Sequence, residues 1–335
     1  MRRYLILYHS RTSMNAFFLR CATLSASALT ATCVSAQNYP LRIIRYIVPQ
    51  APGGSSDTLA RVIAPRLAEL LGQQVVIDNR PGATGIIGSE IVARAPADGY
   101  TLLQAATSHA TNPATGVRLP YDTARDFAPV TLLSQQPNLW IVHPSLPVRD
   151  IKGLVVLAKA RPGQLDFASS GTGSSQHLAG ELLNVLTGIQ LVHVPYKGSP
   201  PALIDVLGGR VAIMVSTLAP AMPMVKSARL RALAITSAAR SRVAPDVPTV
   251  AESGIAGYEA ISWQGVLARG GTPSNVVQRL NSDLRKVLAQ AELQRQLADQ
   301  GYEPLSGTPE AFDAYIQSEI AKWTRVVKSA GLKIS

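Results

Sequence analysis

The 299 residues from Gln37 to Ser335 contain no cysteine, because both cysteines of the chain, Cys21 and Cys33, precede them. Disulfides, a thiol nucleophile and a thiolate metal site are therefore excluded from this region. Stability must come from the hydrophobic core, which a chain of this length can build, and the length favours two domains over one. No later run approaches the roughly 18 apolar residues that a membrane-spanning helix needs. The zinc motif H-E-x-x-H, the nucleophile elbow G-x-S-x-G and the dinucleotide loop G-x-G-x-x-G are all missing. No metal and no cofactor are expected. Acidic side chains are the minority, 21 against 32 basic, giving a net charge of +11. The basic residues form no runs, and aromatics, only 5% of the chain, do not interleave with them, so nucleic acid is not an expected partner.

The first 36 residues carry four arginines (Arg2, Arg3, Arg11 and Arg20), no acid, and then the small apolar run Cys21 to Val34. A basic start, a short apolar stretch and the small-residue site Val34-Ser35-Ala36 read as a secretory signal peptide over 1–36. MNAFFLR, from Met14, supplies a charged start by itself and offers a second initiation site. Without the four leader arginines the net charge falls from +11 to +7, an ordinary balance for an exported protein.

From Leu41 onward, strand-like segments (43–48, 75–78, 100–103) alternate with amphipathic helical ones (59–71, 86–93), an order that predicts parallel α/β sheets. Pro65 predicts a kink or restart in the first helix, since an interior proline removes a hydrogen bond and costs about 3 kcal/mol. Two longer extended stretches, 128–143 and 258–268, are expected to cross between two lobes. Thr272-Pro273 and Thr308-Pro309 predict helix starts, the second helix lining up Phe312, Ile316, Ile320, Trp323 and Val327 on one face.

Between the two crossings, residues 165–209 run twice through strand, polar loop and helix. Strand 165–169 leads into Ser-Ser-Gly-Thr-Gly-Ser-Ser, then into a helix carrying Leu178, Leu182, Leu183 and Leu186 that Gly188 stops. One cap needs one hydroxyl, and Ser174 or Ser175 would supply it. The surplus of hydroxyls and exposed N–H groups at a helix start points to an anion. Strand 191–194 is followed by Pro195-Tyr196-Lys197-Gly198 and a helix with Ser199 as its N-cap and Pro200 at its first position.

Seven segments together resemble one known family: Val48 to Asp57 (VPQAPGGSSD), Asp78 to Gly88 (DNRPGATGIIG), Ala97 to Leu103 (ADGYTLL), Tyr121 to Leu132 (YDTARDFAPVTL), Ala168 to Leu178, His193 to Gly209, and Val247 to Gly254 (VPTVAESG). The chain looks like the Bug, or TctC-like, periplasmic solute-binding proteins of tripartite tricarboxylate transporters. The resemblance implies an α/β, two-lobed periplasmic-binding-protein fold of type II, its lobes joined by two crossover strands. Lobe 1 would comprise 37–138 plus 260–335, and lobe 2 would comprise 139–259. It further implies a cleft closing on a small carboxylate, inner-membrane permease subunits as partners, a monomer, and a periplasmic location.

Ligands in parallel sheets sit at the carboxyl ends of strands, which singles out four loops. In the first, Gly53 and Gly54 let backbone N–H groups approach a ligand, while Ser55, Ser56 or Asp57 can cap the next helix. In the second, the resemblance puts Thr84 and Gly85 beside the pocket. The third, 107–113, offers Thr107, Ser108 and His109 as donors; no partner stands at metal-ligand spacing from His109, so a structural histidine is the alternative. The fourth offers Ser169, Ser170, Gly171, Thr172, Gly173, Ser174 and His177, joined by Tyr196 and the cation of Lys197, with Ser216 beyond the strand 211–215. Relatives often carry Asp near 216, and Ser there implies a ligand without a cationic amine. Two rivals remain: a sensor subunit binding the same solute for a membrane receptor, and a serine hydrolase using Ser174 and His177, which lie three residues apart on one helix face. No catalytic residue is expected.

Overall fold

The computed structural model describes residues 39–329 and Gly331, and from Arg42 onward the chain forms a unit by itself. The leader reading falls outside the described residues. Strands β1 (Ile44–Val48), β2 (Val75–Asn79) and β3 (Thr101–Ala106) lie parallel, with β1 in the middle. Helix α1 (Ser55–Leu71) links β1 to β2, and α2 (Ile86–Ala93) links β2 to β3. A second parallel set consists of β5 (Leu165–Ser169), β6 (Leu191–Pro195) and β7 (Ile213–Thr217), with β5 in the middle.

The long strand β4 (Phe127–Val142) joins the two sets. Residues Phe127 to Pro137 pair antiparallel with β9 (Ile261–Arg269), which itself borders β3; from Asn138 the same strand pairs with β7 and with β8 (Arg231–Ile235). The return passage starts at Tyr258 and Ala260, both buried in the second core, and continues as β9 in the first sheet. The strand order is therefore β2-β1-β3-β9-β4-β7-β5-β6, with β8 and the short β10 (Glu303–Pro304) on β4.

Alternation along β4 explains how the second sheet buries both faces. Trp140 and Val142 enter one core with Phe167, Leu178 and Ile213, while Leu139 and Ile141 enter another with Ala168, Met214 and Val206. The first core gathers Ile47, Leu103, Phe127, Trp263 and Phe312. Helix α10 (Pro309–Ser329) reaches both halves: Phe312 and Ile316 pack in the first core, Trp323 and Val327 in the second.

Two local expectations change. Helix α1 runs through Pro65 without a restart. Pro65 is exposed, so its ring faces solvent rather than the core, and the Arg66 guanidinium donates to Val62 O at 2.8 Å in the same turn. In the helix after β6, α6 (Ser199–Leu207), the N-cap is Gly198 rather than Ser199, which shifts Pro200 one place inward. Gly198 has φ 105°, open to glycine at no steric cost.

Candidate functional site

Every helix start that follows a parallel strand lies at a strand's carboxyl end, and loops from the two sets touch. Thr84 Oγ1 donates to Thr172 O at 3.3 Å, and Thr111 Oγ1 donates to Gly173 O at 3.1 Å. Asn112 Nδ2 fixes the first contact by donating to Thr84 O at 3.2 Å. A side chain on Gly173 would press on the Thr84 methyl, so glycine permits this approach.

The first loop is held from below. Asp57, buried, accepts from Gly53 N and Arg61 Nε at 2.9 Å each and from Asn79 Nδ2 at 3.0 Å. Burial alone would raise its pKa, but the hydrogen bonds from Arg61, Gly53 and Asn79 outweigh burial and keep it below the usual value. Asn79 also donates to Gln50 O at 3.1 Å. The N-cap is Gly54 and not one of the three residues after it; Asp57 instead reaches back from the third helical position. Its oxygens are committed to the loop itself.

The third loop is in fact a short helix, α3 (Thr107–Thr111), followed by a single 3₁₀ turn. Thr107 is buried and its hydroxyl accepts from Trp263 N at 3.1 Å. His109 is also buried, edge-on to Phe127 with ring centres 4.8 Å apart, and neither ring nitrogen has a hydrogen-bond partner among the described residues. Burial pushes its pKa down to about 4. The ring is directed into the first core, where Phe127 packs. Ser108, half-buried beside Gly85, keeps an uncommitted hydroxyl.

The fourth loop rests on two stacked imidazoles. His177 and His193 lie 3.8 Å apart at 22°. His177 Nδ1 accepts from Gly173 N at 3.0 Å, and its Nε2 stands 3.6 Å from Glu181. His193 Nε2 contacts Ser169 Oγ at 2.6 Å, and burial, reinforced by neighbouring His177, lowers its pKa to about 3. Ser169 is fully buried and belongs to this support. Ser174 caps α5 (Ser175–Thr187), accepting from His177 N at 3.2 Å and donating to Gly171 O at 2.7 Å. Ser170 donates to Gln176 Oε1 at 2.7 Å. Tyr196 donates to Asp205 at 2.8 Å, and Gly198 N returns to Ser170 O at 3.0 Å, so the adjoining loop is tied to the same frame. Lys197 is exposed and forms no ion pair among the described residues. Ser216 lies inside β7, buried, its hydroxyl turned to Thr217 O at 3.1 Å.

The expected residues thus separate. Asp57, Thr107, Ser169, Ser170, Ser174, His177, Tyr196 and Ser216 have their side-chain polar atoms engaged by the protein. Among the described residues, Ser55, Ser108, Thr172 and Lys197 keep uncommitted donors, alongside the first-turn N–H groups of α1 and those of Ser175 and Gln176 in α5, which have no intrahelical acceptor. Sequence reading did not single out Thr111, Asn112, Asn79 or His193. Asn79 and His193 sit in the segments that carry the resemblance, and Thr111 and Asn112 follow His109 directly; only tertiary contact reveals their partners.

Two parallel α/β sets, joined by the long strand β4 and meeting at their carboxyl-end loops, have the architecture of a solute-binding protein. A family model described as tripartite tricarboxylate transporter family receptor matches residues 59–332, and the chain belongs to that family, the TctC or Bug proteins. Protein BugT of Bordetella pertussis is 40% identical over 313 residues, covering 92% of this chain and 95% of BugT. An R. palustris protein solved with adipate is 40% identical, with a TM-score of 0.81 over 88% of this chain and 99% of that one. MatC of Rhodopseudomonas palustris, solved with malate, is 32% identical, with a TM-score of 0.78 over 86% of this chain and 100% of MatC.

Proposed function

We infer that this protein captures a small organic carboxylate between the loops of its two halves and delivers it to inner-membrane permease subunits, with no chemical step. The carrying observation is the meeting of the two loop sets through Thr84–Thr172 and Thr111–Gly173, with uncommitted donors at Ser55, Ser108 and Thr172. Backbone N–H groups at helix starts and neutral hydroxyls suit a carboxylate. Relatives solved with adipate and malate support that ligand class.

Lobe 1 comprises 37–138 and 260–335 and lobe 2 comprises 139–259, and the ligand's preference for the closed arrangement shifts the population toward it. The mature chain begins at Gln37, works in the periplasm and acts as a monomer. Among the described residues no helix is long and apolar enough to cross a membrane. The hydrolase reading is disfavoured by geometry: the Ser174 hydroxyl serves Gly171 and the His177 ring serves Gly173, so the two do not form a nucleophile–base pair.

The test is thermal shift and titration calorimetry of residues 37–335 against mono-, di- and tricarboxylates, aromatic acids, amino acids and amides. A ligand at one hundred times its Kd stabilises by about 2.7 kcal/mol, a rise of about 4 °C in Tm for a chain of this length. Silence with every carboxylate, also after unfolding, dialysis and refolding to remove a co-purified ligand, rejects this reading.

A further inference from the structure

Residues Gly82, Ala83, Thr84 and Gly85 have φ of 133°, 44°, 52° and 87°. Four successive residues with positive φ are unusual, and two of them, Ala83 and Thr84, carry a Cβ. For a β-branched side chain this region is a true outlier, tolerated only where surroundings enforce it. The surroundings here are specific. Gly85 N closes the turn on Gly82 O at 2.9 Å, Asn112 Nδ2 holds Thr84 O at 3.2 Å, and the Thr84 hydroxyl reaches Thr172 O at 3.3 Å. Thr84 itself is exposed, so no core packing compels the conformation.

Building on the reading above, we propose that Thr84 is a positioning residue: a strained latch from the β2–α2 turn that holds the Gly171–Ser174 loop in its ligand-taking place. The hydroxyl bond to Thr172 holds the latch shut, and the left-handed backbone opposes it. Such opposition keeps the shut and released arrangements near balance, the condition under which a small ligand can shift a population. Thr84 thereby acts through Thr172 and Gly173, which present the loop, rather than by touching the ligand. Thr111 on Gly173 O and His177 under Gly173 N hold the same loop from two other directions without strain.

Three variants separate the strain from the hydroxyl: Thr84→Gly removes both, Thr84→Ala removes the hydroxyl and keeps a Cβ, and Thr84→Ser keeps the hydroxyl. In the ligand-free protein, hydrogen exchange across residues 171–176 is expected to quicken in Thr84→Ala and Thr84→Gly and to return toward the parent rate in Thr84→Ser. Thr84→Gly is expected to melt about 2–5 °C above Thr84→Ala, because glycine adopts the turn without strain. Carboxylate affinity should fall about three- to tenfold in both, so that Thr84→Gly binds less tightly than the parent although its backbone is relaxed. A residue with only a structural role would lower melting and exchange protection together. Unchanged exchange at 171–176 in Thr84→Ala, or Thr84→Gly melting at or below Thr84→Ala, overturns the latch. If the parent binds no carboxylate, the proposed function fails, and the exchange and melting data still decide the latch.

Discussion

At the residue scale, the polar side chains under the loops do more than those on top of them. Asn79 donates to both Gln50 O and Asp57 Oδ1, so Asn79→Ala leaves a buried carboxylate short of one donor. A loss of about 1–3 kcal/mol is expected, read from urea midpoints. His109 gives a pH test. Its folded pKa of about 4 lies below the ordinary 6.5, so between these values the unfolded chain binds a proton that the folded chain refuses. Its contribution is complete above pH 6.5 and is lost on acidification toward 4, at about 1.4 kcal/mol per pH unit. His193, held at about 3, adds loss of the same sign. His109→Leu removes two unpartnered ring nitrogens and should flatten the fall in urea midpoint between pH 6.5 and 4 without weakening the protein at pH 7. A parallel, lower curve would reject this assignment.

At the element scale, close approach is set by glycine. A Cβ on Gly180 of α5 would stand 2.2 Å from the Phe167 ring of β5, so Gly180→Ala forces helix and strand apart. Overpacking of this kind costs about 1–3 kcal/mol, measurable as a fall in Tm. Helix α1 offers the opposite case. Because α1 continues through an exposed Pro65, Pro65→Ala restores one N–H bond, and an increase of stability of about 1 kcal/mol, short of the full interior-proline cost, is expected from denaturant unfolding. Element positions were largely legible. The strand 165–169 and the helix stop at Gly188 stand where hydrophobic spacing and glycine put them, Gly188 being left-handed at φ 67°. The helix Thr107–Thr111 was not legible, because threonine, serine and histidine are indifferent helix formers and read as loop. Its helicity comes from burial of His109 and Ala110 against the first core.

At the scale of the whole molecule, two elements belong to both halves. Strand β4 passes from one sheet to the other between Pro137 and Asn138, and α10 contributes Phe312 to the first core and Trp323 to the second. The two cores are thereby coupled, and unfolding is expected as a single transition. Trp263 reports the first core and Trp140 the second, so a Trp140→Phe, Trp323→Phe variant and a Trp263→Phe variant should give coincident denaturant curves once corrected for stability. Separate midpoints within one variant, by fluorescence and circular dichroism, would show independent halves.

The sequence by itself determined the periodic part of this protein: which segments alternate as strand and helix, where glycine ends a helix, and which loops fall at strand ends. Those properties depend on neighbours in the chain, three or four residues apart. Tertiary structure alone decided which polar groups in those loops remain available. The hydroxyls of Ser169 and Ser174 and the imidazole of His177 have the same chemistry as any ligand contact, and only their partners, 3 to 24 residues away along the chain, commit them to the frame. Thr84 is the sharpest instance. Its partner is Thr172, 88 residues distant, and its left-handed backbone follows from contacts that no local pattern encodes.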